Sequence, residues 1–205
     1  MSKVFVDMSI SMDGFIAGPN GYPGNPMGDG GIKLHDYVFV LESWREKMGM
    51  PGGETGRDND RTRHTIDRIG ANVLGRRMFD EGEVAWPEEA PFHNDVFIVT
   101  HRARDPWVRP GGTTFHFVTD GPLAALERAR KAAGGKDVRI GGGASVVRQL
   151  LLAGQVDELT LHLTPIVLGG GVRLFDGFAP GSLKLECTGV EASKLTTHID
   201  YRVVR

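Results

Sequence analysis

Three consecutive glycines, Gly141, Gly142 and Gly143, stand between a short apolar run (138–140) and an amphipathic segment opened by Ala144 and Ser145. A glycine triplet lets the backbone turn sharply and come within hydrogen-bonding distance of a bulky anion. A helix start directly after it aims unpaired N–H groups and a partial positive charge at the same point. That combination suits a pyrophosphate and suggests a nucleotide cofactor; the alternative is a tight strand-to-helix turn without a ligand. Two familiar phosphate motifs do not fit. A G-x-G-x-x-G fingerprint would need glycine at Val146, and Asp157 and Glu158 precede a strand instead of ending one. A P-loop would need Ser or Thr where Asp137 follows Gly134-Gly135-Lys136.

Other side chains set narrower bounds. Cys187 is the only cysteine, which excludes an internal disulfide and any multi-cysteine metal site. The seven histidines are scattered without metal-ligand spacing, so no metal is expected. His162 stands between Leu161 and Leu163 in a strand-like run, which turns its ring to the opposite face from theirs. There it is either a neutral donor or proton source in a pocket, or a hydrogen-bonded structural histidine.

The elements that must position these residues follow from pattern. Strands are expected at 4–8, 71–74, 96–100, 114–118, 138–140, 158–167, 182–190 and 196–204. Leu34, Val38, Leu41, Arg45 and Met48 keep a helical period; shorter helices are expected ending at 65–69, over 123–133 and over 146–151. Strands alternating with helices as far as residue 153 predict an α/β sheet with parallel neighbours. The later strands lack intervening helices and should add an antiparallel C-terminal segment. The polar, glycine-rich stretch 49–60 reads as a flap or insertion within a single domain spanning 1–205.

Composition agrees with a soluble enzyme. A net charge of −2 offers no basic footprint for nucleic acid or anionic membrane. No apolar run approaches the length of a membrane span, and Asp7 interrupts what would be a signal-peptide core, so a cytoplasmic location is expected.

Five segments then fall in a fixed order: Ser9-Ile-Ser-Met-Asp-Gly-Phe-Ile-Ala-Gly18, Val73-Leu-Gly-Arg-Arg-Met-Phe79, Phe97-Ile-Val-Thr-His-Arg102, Val118-Thr-Asp-Gly121 and Ile140-Gly-Gly-Gly143. Together they resemble the dihydrofolate reductase superfamily. With Val156-Asp-Glu-Leu-Thr-Leu-His-Leu-Thr-Pro-Ile-Val-Leu-Gly169 and Arg173-Leu-Phe175, the chain is most similar to the reductase domain of the bacterial bifunctional riboflavin-biosynthesis deaminase–reductase and its stand-alone relatives. The resemblance covers nearly the whole chain. It implies a dihydrofolate-reductase-like fold: a mixed, mainly parallel central sheet flanked by helices.

It also implies NADPH as cofactor. Gly141, Gly142, Gly143, Ala144 and Ser145 match the pyrophosphate turn, and Gly75, Arg76, Arg77 and Met78 the second phosphate contact. Arginine suits that role through its planar fork, although one of two adjacent arginines can equally be a solvated helix start. Thr100, His101 and Arg102 match the stretch at the adenosine end, where they would favour a 2′-phosphate; a polar strand end is the other reading. Ala17 and Gly18 match the loop that meets the nicotinamide.

On the substrate side the resemblance points to Asp13 and Asp36, and His162 joins them as a candidate from its place in its strand. Asp13 either positions substrate and relays a proton or caps its turn while Gly14 takes positive φ. Asp36 either holds substrate or complements a helix dipole. Glu54 and Arg57 belong to the flap, and Arg57, Arg61 or Arg63 would meet a phosphorylated substrate. The implied reaction is hydride transfer to a C=N or C=O of a pyrimidine- or pterin-like substrate, closest to 5-amino-6-(5-phosphoribosylamino)uracil. A dihydrofolate or pterin reductase and a non-catalytic nucleotide-binding module are the alternatives. The missing cysteines exclude a zinc deaminase half. A homodimer is expected through the edge that strand 198–204 would leave exposed.

Overall fold

The computed structural model describes residues 2–205. In chain order the elements begin with strands β1 (Val4–Ser11) and β2 (Phe15–Ala17), a 3₁₀ turn (Gly31–His35), and helices α1 (Asp36–Phe39), α2 (Glu42–Lys47) and α3 (Arg57–Arg68). Then come β3 (Ile69–Gly75), α4 (Arg76–Glu83), β4 (Asp95–Val99), β5 (Trp107–Val108), a second 3₁₀ turn (Pro110–Gly112), β6 (Thr114–Val118) and α5 (Pro122–Ala132). The chain ends with β7 (Asp137–Gly142), α6 (Ala144–Leu152), β8 (Glu158–Thr164), β9 (Val172–Arg173), β10 (Lys184–Ala192) and β11 (Thr197–Val204).

Nine strands form one sheet in the order β10-β11-β8-β1-β7-β3-β4-β6-β5, while β2 and β9 pair separately. The ladders from β8 through β1, β7, β3 and β4 to β6 are parallel. β11 joins β8 antiparallel, β10 joins β11 likewise, and β5 caps the far edge against β6. The expected mainly parallel sheet with an antiparallel C-terminal segment is the one the chain forms.

The two faces of this sheet differ in chemistry. Val4, Val6 and Ile10 of β1, with Ile140 and Leu159, pack with Ala125, Leu126 and Ala129 of α5 and Val147 and Leu150 of α6 into the main core. A second apolar cluster gathers around Phe79 and Phe115, with Trp86 and Trp107 against it. On the other face β1 presents Asp7, Ser9 and Ser11, with Thr160, His162 and Thr164 from β8 and His198 and Asp200 from β11 in register beside them. Parallel strands buried on both sides normally read as continuous apolar runs. The strict alternation here marks a face covered by polar contacts.

α3 provides that cover. Asp58 reaches His198, Arg61 pairs with Asp200, and Arg68 bridges Asp137 and Glu158, both at 2.7 Å. Asn59, the only buried residue of the helix, accepts the Ser43 backbone N–H at 2.8 Å. Asp58 and Asp60 in its first turn and Arg68 in its last complement the helix dipole.

Several sequence expectations need correction. The helix expected through 34–48 is broken: Leu41 is extended, and Glu54 pairs with it through Glu54 N–H to Val40 O at 2.7 Å and Glu42 N–H to Glu54 O at 3.0 Å. Residues 49–60 are therefore not a free flap. Their middle is tied to α2, where Arg45 also donates to the Pro51 carbonyl, and their last four residues open α3. β8 stops at Thr164. β11 lies inside the sheet, so the exposed edge belongs to β10.

Candidate active site

A cleft of about 570 Å³ opens where β1, β7 and β3 end. This is the switch point of the sheet: β3 leads outward to β4 and β6, whereas β7 returns between β1 and β3. Open α/β sheets bind ligands at such points.

At one end of the cleft two helices begin. α4 is capped by Gly75 and α6 by Gly143, and neither start has a side-chain cap. A Cβ on Gly75 would lie 3.2 Å from the Gly143 nitrogen, so the two turns abut and both helix starts face one place. Backbone N–H groups of a first turn have no partner within their own helix. The three glycines of the second turn serve different ends. A side chain at Gly141 would strike Leu74 at 2.6 Å, and Gly142 holds φ 126°. Gly143 has an ordinary φ of −76°, and a Cβ there would meet nothing within 4 Å. Neither packing nor a positive φ accounts for the last glycine. The peptide between Gly142 and Gly143 is cis.

Ala17, Gly75, Arg76, Arg77, Met78, Thr100, His101, Gly141, Gly142, Gly143, Ala144 and Ser145 all line this cleft. Arg76 pairs with Asp80 at 2.6 Å and Arg77 with Glu81 at 2.8 Å, one turn along α4, leaving part of each guanidinium fork unused by those contacts. Two of the expected cofactor residues lie outside the lining. Gly18 is required by its own loop, since a Cβ would sit 2.0 Å from the Asp29 carbonyl oxygen. Arg102 is largely exposed and approaches Asp80 at 3.4 Å.

The substrate side departs further from expectation. Asp13 accepts from Ser11 Oγ at 2.6 Å and from the Leu168 and Gly169 N–H groups at 3.1 and 2.7 Å. These bonds, the serine's first, bring its carboxyl down to about 2. Asp13 thus ties the β1–β2 turn, where Gly14 takes φ 87°, to the 168–169 loop, away from the cleft. Asp36 is exposed at the start of α1 and also lies outside the lining. Glu54 and Arg57 are exposed and do not reach it either. His162 does line it.

Residues that sequence reasoning passed over complete this end. Arg139, Lys47, His35, Tyr37 and Trp44 line the cleft, joined by Arg61. The Nε atoms of Arg61 and Arg139 are buried without a hydrogen-bond partner. Burial first, then the Arg139 charge, pushes Lys47 down to about 8. The same two causes and His162 push His35 down to about 4. Alternation along 138–140 was the available signal for Arg139: flanked by Val138 and Ile140, it must face away from the core.

The polar face of the sheet runs into this end. His162 Nε2 lies 3.1 Å from Asp7 Oδ1, His162 Nδ1 lies 2.6 Å from His198 Nδ1, and His198 Nε2 lies 3.1 Å from Asp58 Oδ1. Burial would raise the Asp7 carboxyl; the charge and hydrogen bond of His162, with Arg139 and Arg61 behind it, outweigh that and hold it far below the usual carboxylate range. Tyr37 packs against both imidazoles, tilted to His162 at 5.5 Å and edge-on to His198 at 5.9 Å, and burial pushes its phenol up.

Comparison with known proteins gives a consistent picture. The model of the RibD C-terminal domain matches residues 2–199. The uncharacterized protein YyaP of Bacillus subtilis (strain 168) is 25% identical over 183 residues, which span 84% of this chain and 80% of that protein. A deaminase/5-amino-6-(5-phosphoribosylamino)uracil reductase from Thermotoga maritima superposes with TM-score 0.62 at 12% identity, covering 99% of this chain and 57% of that one. Dihydrofolate reductase from Enterococcus faecalis, solved with NADP(H), superposes with TM-score 0.54 at 15% identity over 99% of this chain and 97% of that one. The fold is dihydrofolate-reductase-like.

Proposed function

Since the chain belongs to the RibD C-terminal domain family, we propose that it is a reductase of the riboflavin-pathway type that uses NADPH to reduce a C=N or C=O of a pyrimidine- or pterin-like compound. The observation that carries this reading is the paired helix start, with Gly143 open toward the cleft. Two first turns and a side-chain-free approach fit a pyrophosphate. Arg76 and Arg77 would hold phosphate oxygens beside it, and Thr100 and His101, which line the same cleft, would read an adenosine 2′-phosphate. The bound nicotinamide supplies the hydride; the protein positions it and sets the electrostatics.

The other end of the cleft supports an anionic, ring-bearing substrate. Tyr37 and Trp44 offer flat apolar surface, while Arg61, Arg139 and Lys47 offer positive charge. The Thermotoga protein is named as a reductase of a phosphoribosylamino-uracil, and that compound carries both features.

Isothermal titration calorimetry of NADPH and NADH against the purified chain tests the cofactor reading. NADPH is expected to bind at least about tenfold tighter than NADH, a difference of about 1.4 kcal/mol. Binding of neither cofactor would overturn the reading. Given binding, NADPH oxidation with the phosphoribosylamino-uracil, against dihydrofolate as comparison, separates the two substrate classes.

A further inference from the structure

The four residues Asp7, His162, His198 and Asp58 form an unbroken line from the cleft to the first turn of α3, its imidazoles buried and its carboxylates partly exposed. Their proton count follows from hydrogen-bond chemistry. Each Nε2 faces a carboxylate, which in its ionised form only accepts, so each ring carries an Nε2–H. The two Nδ1 atoms then face each other at 2.6 Å. Two lone pairs at that separation repel, whereas one proton between them makes a short hydrogen bond. The pair therefore holds three protons on four nitrogens and a single positive charge between two carboxylates.

We propose that His162 and His198 share one proton, clamped by Asp7 and Asp58, and that this pair is the proton store that completes reduction in the cleft. The proposal rests on the reductase reading for its use, though not for the existence of the shared proton. Hydride arriving at the carbon of a C=N or C=O drives the π pair onto nitrogen or oxygen. The stored proton passes to that atom from the His162 end, directly or across Asp7, and leaves two neutral imidazoles. After product leaves, water in the cleft returns a proton to the vacated His162 Nε2, since His198 Nε2 keeps its own toward Asp58. His162 lines the cleft and is assigned as the donor; His198 and Asp58 act through it as positioning residues.

The surroundings fit one charge and not two. From β1 and α3, Asp7 and Asp58 attract it; from β7 and α3, Arg139 and Arg61 oppose a second, while His35 of the first 3₁₀ turn, pushed down to about 4, stays neutral. Burial first, then the charge on His162, pushes His198 below the ordinary histidine range. Tyr37 of α1 closes the pair from above.

The test is histidine side-chain ¹⁵N NMR on the ligand-free full chain from pH 5.5 to 9, in wild type, His198→Gln and Asp58→Asn. The expected result is one bridging proton far downfield and a His162/His198 unit that loses a single proton as pH rises. Asp58→Asn should move the His162 nitrogens and lower that midpoint, and His198→Gln should abolish the bridging signal. Asp58 sits on a half-exposed helix turn, so its variant remains informative if the buried His198 variant does not fold. Two neutral rings across the whole range, or His162 nitrogens unmoved by Asp58→Asn, would overturn the proposal whether or not the chain reduces anything. With an acceptor in hand, His198→Gln should lower kcat by about 10²-fold above neutral pH and leave the KM for NADPH within about twofold. An unchanged pH–rate profile in that variant would overturn the catalytic use. Absence of NADPH oxidation with every acceptor, the bridging proton being present, would count against the reductase reading and not against the shared proton.

Discussion

Burial of the Lys47 amine outweighs the attraction of Asp67. The side chain stands near Arg139 with its amine pushed down to about 8, so folding disfavours its charged form. The sign follows from proton linkage. Below pH 8 both folded and unfolded chains carry the proton, and the cost is fully present; it fades as pH rises from about 8 to the ordinary lysine value of 10.5. Lys47→Met is therefore expected to stabilise the ligand-free chain at pH 7, by no more than about 3 kcal/mol. Its advantage should disappear by about pH 10.5, as followed by urea unfolding across pH. A constant difference at all pH values would place the effect in packing instead of charge. An anion bound beside Lys47 should remove the cost in the wild type, which is why a substrate phosphate or carboxylate suits this spot.

The elements show what a sequence discloses and what it hides. β8 was readable because Leu159, Leu161 and Leu163 alternate with Thr160 and His162, and that alternation correctly turned His162 away from the core. The α6 turn was readable because glycines at a strand–helix junction have few other uses. α3 was nearly invisible: its segment is almost wholly polar, and it docks through Asp58, Asn59, Arg61 and Arg68 instead of an apolar stripe. Hydrophobic periodicity carries no record of such a helix. Arg139 and Lys47 escaped for a related reason, since only the register of β7 and the packing of α2 bring them to one cleft, and only the register of β11 sets His198 beside His162. Asp13 and Asp36 were singled out by position along the chain, and the fold turns both elsewhere. At this scale the phosphate reading is also decidable. Gly143→Ala adds a methyl that touches nothing in the ligand-free chain, so Tm should stay within about 3 °C, equivalent to less than 1 kcal/mol. NADPH affinity in calorimetry should fall by about tenfold or more. Unchanged affinity would move the cofactor away from the α6 turn.

The whole molecule is a sheet closed by β5 on one side and left open by β10 on the other. The β10 side chains are mostly exposed, Val190 among them, and an unpaired edge of nine residues is a template for a second strand. A homodimer built by β10 pairing with its copy is the expected assembly. Sedimentation equilibrium should then give twice the chain mass, and Val190→Lys should shift it to the monomer. A monomeric wild type at all concentrations would remove that expectation. The distribution of tryptophans has an optical consequence. Trp44 stands on the cleft wall, whereas Trp86 and Trp107 are packed around Phe79 and Phe115 in the second apolar cluster, outside its lining. Reduced nicotinamides absorb where indoles emit. Light from one residue of three should therefore dim most as the cleft fills, over a background from the other two, and the chain would signal its own occupancy without any added dye.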